Sequence, residues 1–489
     1  MIQNEEAKDD EDRAPAGAKG SKKLEVETGS KRGRPGGGYA DKQPYLSMDQ
    51  VAKHNLSNDA WVVIDGNVWD VSDFLPHHPG GSRIVLANAG KDATEIYKEL
   101  HPPNTIENNL SPKHFKGRID PELAKEASHA AEMKRIQDAR EALPAVETIL
   151  GLQEMEDAAK AVLSTKSTAY YETGALDHVT LKENSKTFRK CRLVPRVMRD
   201  VGTTSTRTKI FGLPSALPIY VSPASNALLG HPDAEFNIVR GAARTGIVQG
   251  VSAASSLPLN ELLDEKHNMD EEIEEGKWGR GLVDRALLLT VDSNVLGHRQ
   301  TNEKLKGTIG DAQPGIRAEP NTEWPAYHDA RLNWDDLDWL KGLAKGTPIY
   351  LKGVCSAEDV QLAKEHGLAG VILSNHGGRQ LDYARTGFDS LRSLHQTKPD
   401  LLREPNFDVY IDGGVKRGSD VLMALALGAR GVGLGRAFLW AQTAYGEKGV
   451  VRAIRIMESE IIMAMRLLGV NRISDLKPEN IECLQEVWK

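Results

Sequence analysis

The run GVILSNHGGRQLD, Gly370 to Asp382, changes character in its middle. A short apolar stretch of strand length is followed at once by Ser, Asn, His, two Gly and Arg. The same switch recurs in PIYVSPAS (Pro218–Ser225), GIVQGVS (Gly246–Ser252), ALLLTVD (Ala286–Asp292), PIYLKGV (Pro348–Val354), DVYIDGG (Asp408–Gly414) and GVGLGR (Gly431–Arg436). Helix-prone stretches separate these runs, which implies parallel strands joined by helical crossovers. Polar groups and glycines gathered at strand C-termini are the pattern of a (β/α)₈ barrel, whose chemistry sits on that face.

The last two turns, DGGVKRG (Asp412–Gly418) and LGR (Leu434–Arg436), suit a phosphate. Their glycines let backbone N–H groups approach an anion, and Lys416 and Arg436 add charge. No GxGxxG follows a strand and opens a helix, so a nicotinamide dinucleotide is not supported. One phosphate site fits FMN. His376 is the candidate base, and Arg379, three residues on, can grip a carboxylate with two N–H groups. Asp292 can orient His376 and stabilise its imidazolium. Lys352 puts positive charge where a reduced flavin accumulates negative charge. Each alone reads equally well as a salt bridge on the barrel rim; together, at successive strand ends, they read as a catalytic site.

Upstream, two histidines stand out. His78 lies in FLPHHPGG and His101 in ELHPPNTI, 23 positions apart, so they cannot share a helix face. Proline and two glycines fix the backbone directly after His78, and Pro102 and Pro103 do so after His101. Two opposed imidazoles are an axial pair for a low-spin haem iron, which leaves no open coordination position and suits electron transfer. His77 is the spare and is expected to face solvent.

Bulk features set limits. The chain of 489 residues has room for two or three domains. A net charge of -7 argues against nucleic acid as the partner, and the sequence has no apolar run long enough to span a membrane. Residues 1–43 are polar and Gly-rich and are expected to be disordered; KRGRPGGG (Lys31–Gly38) within them reads as a solvated basic stretch. Residues 44–120 form a compact mixed unit, 121–168 a charged, helix-prone linker, and 169–489 the barrel. Cys191, Cys355 and Cys483 form no CxxC pair, which argues against disulfides and for a reducing compartment. The acidic N-terminus is unlike a presequence, so the cytosol is the simplest location and the mitochondrial intermembrane space the alternative.

AWVVIDGNVWDVSDFLPHHPGG (Ala60–Gly81) followed by AGKDATEIYKELH (Ala89–His101) resembles the core pattern of the cytochrome b5 family, which implies haem b held by His78 and His101. SNHGGRQLD and the strand ends around it resemble the FMN-dependent L-2-hydroxy-acid oxidase and dehydrogenase family. Both domains in one chain resemble the flavocytochrome b2 group, over about residues 45–488. That resemblance implies His376 as base with Asp292 as its partner, and Arg379 and Tyr170 on the substrate carboxylate. It implies FMN held by Ser222, Pro223, Ala224, Ser225, Ser252, Thr290, Lys352, Asp412, Gly413, Gly414, Val415, Lys416, Gly435 and Arg436. Electrons would pass from a small 2-hydroxy acid such as L-lactate to FMN, to haem b and to a cytochrome c, in a homotetramer.

The sequence also departs from the family. Lys416 stands where an arginine is usual, and Ala254 where lactate-specific members carry a larger side chain. Ser252 and Asp292 are only 40 positions apart for what should be two βα units, whereas single units elsewhere take 27 (Ser225 to Ser252) or 24 (Lys352 to His376). Seven strand ends are legible, and the third strand, with the family's Gln and Tyr, has no counterpart. The expectation is a barrel gapped after its second strand. An alternative function follows: an impaired relative that keeps haem and FMN but turns over slowly.

Overall fold

The computed structural model describes residues 45–484 apart from 79–80, 95–96, 98–100, 102–104, 273–285 and 302–328. The tail 1–43, its basic stretch and Lys277–Leu282 (KWGRGL), a glycine-rich and therefore poor candidate for a substitute third strand, lie outside the described residues. Contacts divide the chain into two units, Met1–Ala127 and Ser128–Lys489. No helix among the described residues is long and apolar enough to cross a membrane.

The first unit is built on β1 (Tyr45–Leu46), β2 (Asn55–Leu56), β3 (Asp59–Ile64), β4 (Asn67–Asp70), β5 (Lys91–Asp92) and β6 (Phe115–Ile119). They are ordered β1-β6-β4-β3-β2, with β5 beside β3. The turn between β3 and β4 is Asp65–Gly66, both with positive φ, which is what an Asp-Gly hairpin requires. Successive residues of β3 point to opposite faces. Val62 and Ile64 join Trp69, Leu75 and Ile106 in one cluster, and Val63 joins Val51, Val68 and Ile119 in the other.

The second unit starts earlier than its strands suggest. The 121–168 stretch read as a linker is helical over Pro121–Glu141 and again over Leu152–Ala161. Ile149, Leu152, Met155, Ala159 and Leu163 are buried in the core of the second unit. Positions 152, 155 and 159 form one helical stripe that the charged surroundings obscure. This part of the segment is structural.

β7 (Cys191–Leu193), a hairpin of β8 (Thr208–Ile210) and β9 (Leu213–Ser215), and the C-terminal β17 (Ile481–Cys483) frame a seven-stranded sheet. Its members are β10 (Ile219–Val221), β11 (Val248–Gln249), β12 (Leu287–Thr290), β13 (Ile349–Val354), β14 (Gly370–Leu373), β15 (Asp408–Asp412) and β16 (Gly431–Leu434). The order is β11-β10-β16-β15-β14-β13-β12 and every pair is parallel. The first strand therefore pairs with the last, which curls the sheet into a barrel. Among the described residues no strand joins β11 to β12, where the short interval predicts the gap.

Alternation along the strands fills the barrel. Tyr220, Tyr350 and Tyr410 meet Phe211 from the β8–β9 hairpin and form an aromatic plug, with the Tyr410 hydroxyl accepting from Phe211 N at 2.8 Å. Their neighbours Ile219, Leu351, Val409 and Ile411 face outward into the main core. Two residues beyond each plug tyrosine the same inward direction recurs, and there it carries Ser222, Lys352 and Asp412. The plug forms the floor and the next inward layer is polar.

The three cysteines differ from expectation. Cys191 and Cys483 face each other across the antiparallel β7–β17 pair and form a disulfide; Cys355 is a free thiol. The lack of a CxxC spacing carried no information, because the two partners are 292 residues apart.

Candidate functional site

In the barrel, the strand ends converge on one cavity of about 2000 Å³. Thr290, Lys352, His376, Arg379 and Arg436 line it, as do Tyr170, the Ser222–Ser225 segment, Ser252, the Asp412–Lys416 turn and Gly435. Every barrel residue singled out from the sequence lies at this cavity except Asp292, which sits directly behind His376.

His376 follows β14 in a left-handed conformation (φ 57°) held by Asn375, whose side chain accepts from Gly378 N at 3.0 Å. Its Nδ1 lies 2.9 Å from Asp292 Oδ1, so the other ring nitrogen, Nε2, is left for chemistry. Asp292 is largely buried. Burial pushes its carboxyl up, but the His376 hydrogen bond and the Lys352 charge outweigh burial and hold it below the usual range. Burial likewise lowers the His376 pKa, opposed by Asp292 and reinforced by Lys352 and Arg299. The ring is therefore neutral near pH 7, as a base must be.

Lys352 is buried, 3.5 Å from Asp412 Oδ2, and donates to Ser374 Oγ at 3.2 Å. Burial opposes its charge, yet Asp412 and Asp292 keep it protonated. Arg379 has its guanidinium 4.8 Å from the Tyr170 ring centroid. Burial, together with Arg299 and Arg436, lowers its pKa to about 9. An arginine so crowded by cations gains most from an incoming carboxylate.

The phosphate turn fits its assignment. Gly413 and Gly414 have φ of 94° and 80°, and a Cβ on Gly414 would lie 2.0 Å from Asn184 O, so only glycine is tolerated there. Asp412 Oδ1 is buried without a hydrogen-bond partner among the described residues. A carboxylate oxygen left in that state calls for a donor from a bound group, and flavin and its ribityl chain carry N–H and O–H donors. The residues present fit FMN. Arg436 donates to Gly377 O at 2.7 Å, and Lys416 donates to Gln153 Oε1 at 2.6 Å with Glu156 3.6 Å away. Lys416 is thus tied to the Leu152–Ala161 helix at the cavity wall, whereas Arg436 is half-buried.

Three site residues escaped the sequence reading. Arg299 lines the cavity and donates to Gln380 Oε1 at 3.2 Å. Gln380 in turn donates to Asp292 O at 2.7 Å and Val295 O at 2.8 Å, tying the loop after β12 to the one after β14. Asn226 donates to the Tyr170 hydroxyl at 2.6 Å. Arg299 and Asn226 lie several residues past an apolar run, where strand-end reasoning has no purchase. Gln380 sits inside SNHGGRQLD and could have been weighed with Arg379.

In the first unit, the His78 and His101 rings face each other with centroids 6.0 Å apart. His78 Nδ1 is 3.1 Å from Gly81 O and His101 Nδ1 is 3.1 Å from Tyr97 O. Both rings thus turn Nδ1 to a carbonyl, which fixes their tautomer and leaves Nε2 to ligate iron. Tyr97 stacks on His101 at 4.5 Å and Phe74 meets His78 edge-on at 5.9 Å. His77 is exposed. The donor set fits haem.

A parallel barrel with a histidine–aspartate base, a carboxylate clamp and a flavin cradle, in a chain that also presents a bis-histidine haem site, defines a flavin- and haem-dependent oxidoreductase. Comparison with known proteins agrees. The FMN-dependent dehydrogenase model matches residues 159–483, and the cytochrome b5-like haem/steroid binding domain model matches 47–120. The L-lactate dehydrogenase (cytochrome) of Wickerhamomyces anomalus is 39% identical, over 89% of this chain and 80% of that protein. The protein of the same name from Saccharomyces cerevisiae is 37% identical, over 91% and 82%. The recombinant flavin-binding domain of baker's yeast flavocytochrome b2 superposes with a TM-score of 0.63 at 34% identity, covering 72% of this chain and 91% of that one. The chain belongs to the FMN-dependent dehydrogenase family, with a cytochrome b5-like haem domain at its N-terminal side.

Proposed function

We propose that the protein oxidises an L-2-hydroxy acid, with L-lactate as the reference substrate, and passes the electrons through FMN and haem b to a cytochrome c. The observation that carries this reading is the His376–Asp292 pair beside the Arg379–Tyr170 clamp in one cavity. The clamp holds the carboxylate and thereby presents the adjacent carbon to the base. His376 takes a proton at Nε2, and Asp292 stabilises the imidazolium that results. Lys352 compensates negative charge at the flavin position. FMN, when bound, would accept the two electrons and the second proton that leave as the hydroxy acid becomes a 2-oxo acid.

The impaired-relative alternative is not favoured, because the described residues assemble the base, its partner, the clamp and the cation without a third strand. The Cys191–Cys483 disulfide supports an oxidising compartment, hence the intermembrane space over the cytosol. A homotetramer remains the proposed assembly.

The test is an anaerobic spectrum of the purified holoprotein. L-lactate should bleach the flavin band and then sharpen the haem α band. If none of L-lactate, glycolate and L-mandelate bleaches the flavin, the proposal fails.

A further inference from the structure

The turn after β10 holds an asparagine that grips both tyrosines of AYYETGA (Ala169–Ala175). Asn226 has φ 61° and ψ 40°, a left-handed conformation that asparagine tolerates better than most residues. Its carbonyl accepts from the hydroxyl of buried Tyr171 at 2.8 Å. Its side chain turns the other way, and Nδ2 lies 2.6 Å from the Tyr170 hydroxyl and 3.2 Å from Ser225 Oγ. The Tyr170 hydroxyl is also 3.3 Å from Ser225 Oγ, a longer contact.

A carboxamide NH₂ only donates, so the phenol oxygen of Tyr170 accepts that short bond. Its own hydrogen is then available to the cavity, on the side where Arg379 overhangs the ring. We infer that Asn226 is a positioning residue that commits the Tyr170 hydroxyl to donate to the substrate carboxylate. This rests on the reading above that Tyr170 and Arg379 hold that carboxylate. The electrostatics agree: burial would raise the Tyr170 pKa, but Ser225, Arg379 and Asn226 bring it below the usual phenol range.

The turn itself does not depend on the Asn226 side chain. Ala227 O accepts from Gln442 Nε2 at 2.8 Å, and Glu235 Oε1 accepts from Ala227 N at 3.4 Å and Ser256 N at 2.8 Å. Glycine adopts positive φ freely, so Asn226→Gly removes the side chain and keeps the loop.

The experiment measures oxalate binding to the holoprotein through the flavin difference spectrum, alongside KM and kcat for L-lactate. Asn226→Gly should raise the oxalate Kd and the KM about tenfold, the size expected for one lost hydrogen bond, with kcat within about twofold. Asn226→Asp should bind oxalate more weakly than Asn226→Gly, because a carboxylate would capture the Tyr170 hydrogen. In a Tyr170→Phe background, Asn226→Gly should add no further loss. Unchanged oxalate binding in Asn226→Gly would overturn the inference, as would Asn226→Asp binding as tightly as wild type. Equal losses in kcat and affinity that persist in Tyr170→Phe would mark a merely structural role. If wild type binds oxalate but L-lactate never bleaches its flavin, the substrate reading falls while the oxalate series still decides Asn226.

Discussion

The haem unit concentrates its chemistry and the barrel disperses it. In the first unit two side chains, His78 and His101, make the iron site, each oriented by one backbone carbonyl. In the second, at least six residues from five strand ends share the work, and pairs such as His376–Asp292 join positions 84 residues apart. A concentrated site fails outright when one ligand is lost. A dispersed one fails by degrees, according to whether the residue takes part in bond breaking or in binding. The predictions below press on that contrast.

The largest effect belongs to the haem ligands. His78→Ala or His101→Ala should abolish the low-spin haem spectrum entirely, while substrate still bleaches the flavin at an unchanged rate. A normal Soret and α band in either variant would break the assignment. Next, His376→Gln should slow flavin reduction by about 10³-fold or more, as loss of a general base does, and leave FMN and haem occupancy intact. Stopped-flow reduction near the wild-type rate would remove His376 from the role. Arg379→Lys should raise KM by roughly 10- to 100-fold, since a point charge replaces a two-pronged donor.

A smaller effect is the pH profile. His376 works neutral, so kcat/KM should fall as pH drops through its pKa. Because burial holds that pKa below the usual value, the acid limb should lie below about pH 6.5. An acid limb above pH 7 would mean that Asp292 outweighs burial. The smallest effect is His77→Ala, which should leave both spectra as they are; a shifted haem band would show that the haem unit has a third participant.

The same contrast explains what could be read from the sequence. FLPHHPGG and ELHPPNTI announced the haem site because Pro and Gly after His78, and two Pro after His101, fix the backbone locally. The barrel's inward polar layer was legible because Ser222, Lys352 and Asp412 each end an apolar run. That no strand joins β11 to β12 among the described residues matches the short interval between Ser252 and Asp292. What escaped depends on tertiary contact: Asn226 and Arg299 act from loops with no periodic signature. The Leu152–Met155–Ala159 stripe was masked by the charged residues around it. Cys191 and Cys483 are neighbours only because the last strand returns to the first part of the unit.

That last pairing changes what a protease can do. The Cys191–Cys483 bond closes almost the whole barrel unit into one covalent ring, 292 residues from end to end. Closing a loop of that size removes unfolded-chain entropy worth about 6 kcal/mol in the chain-entropy model. It also means that a single backbone cut anywhere inside the ring opens a circle without releasing a fragment. On a non-reducing gel the nicked protein stays one species of full mass, and it separates into two only after the thiols are restored.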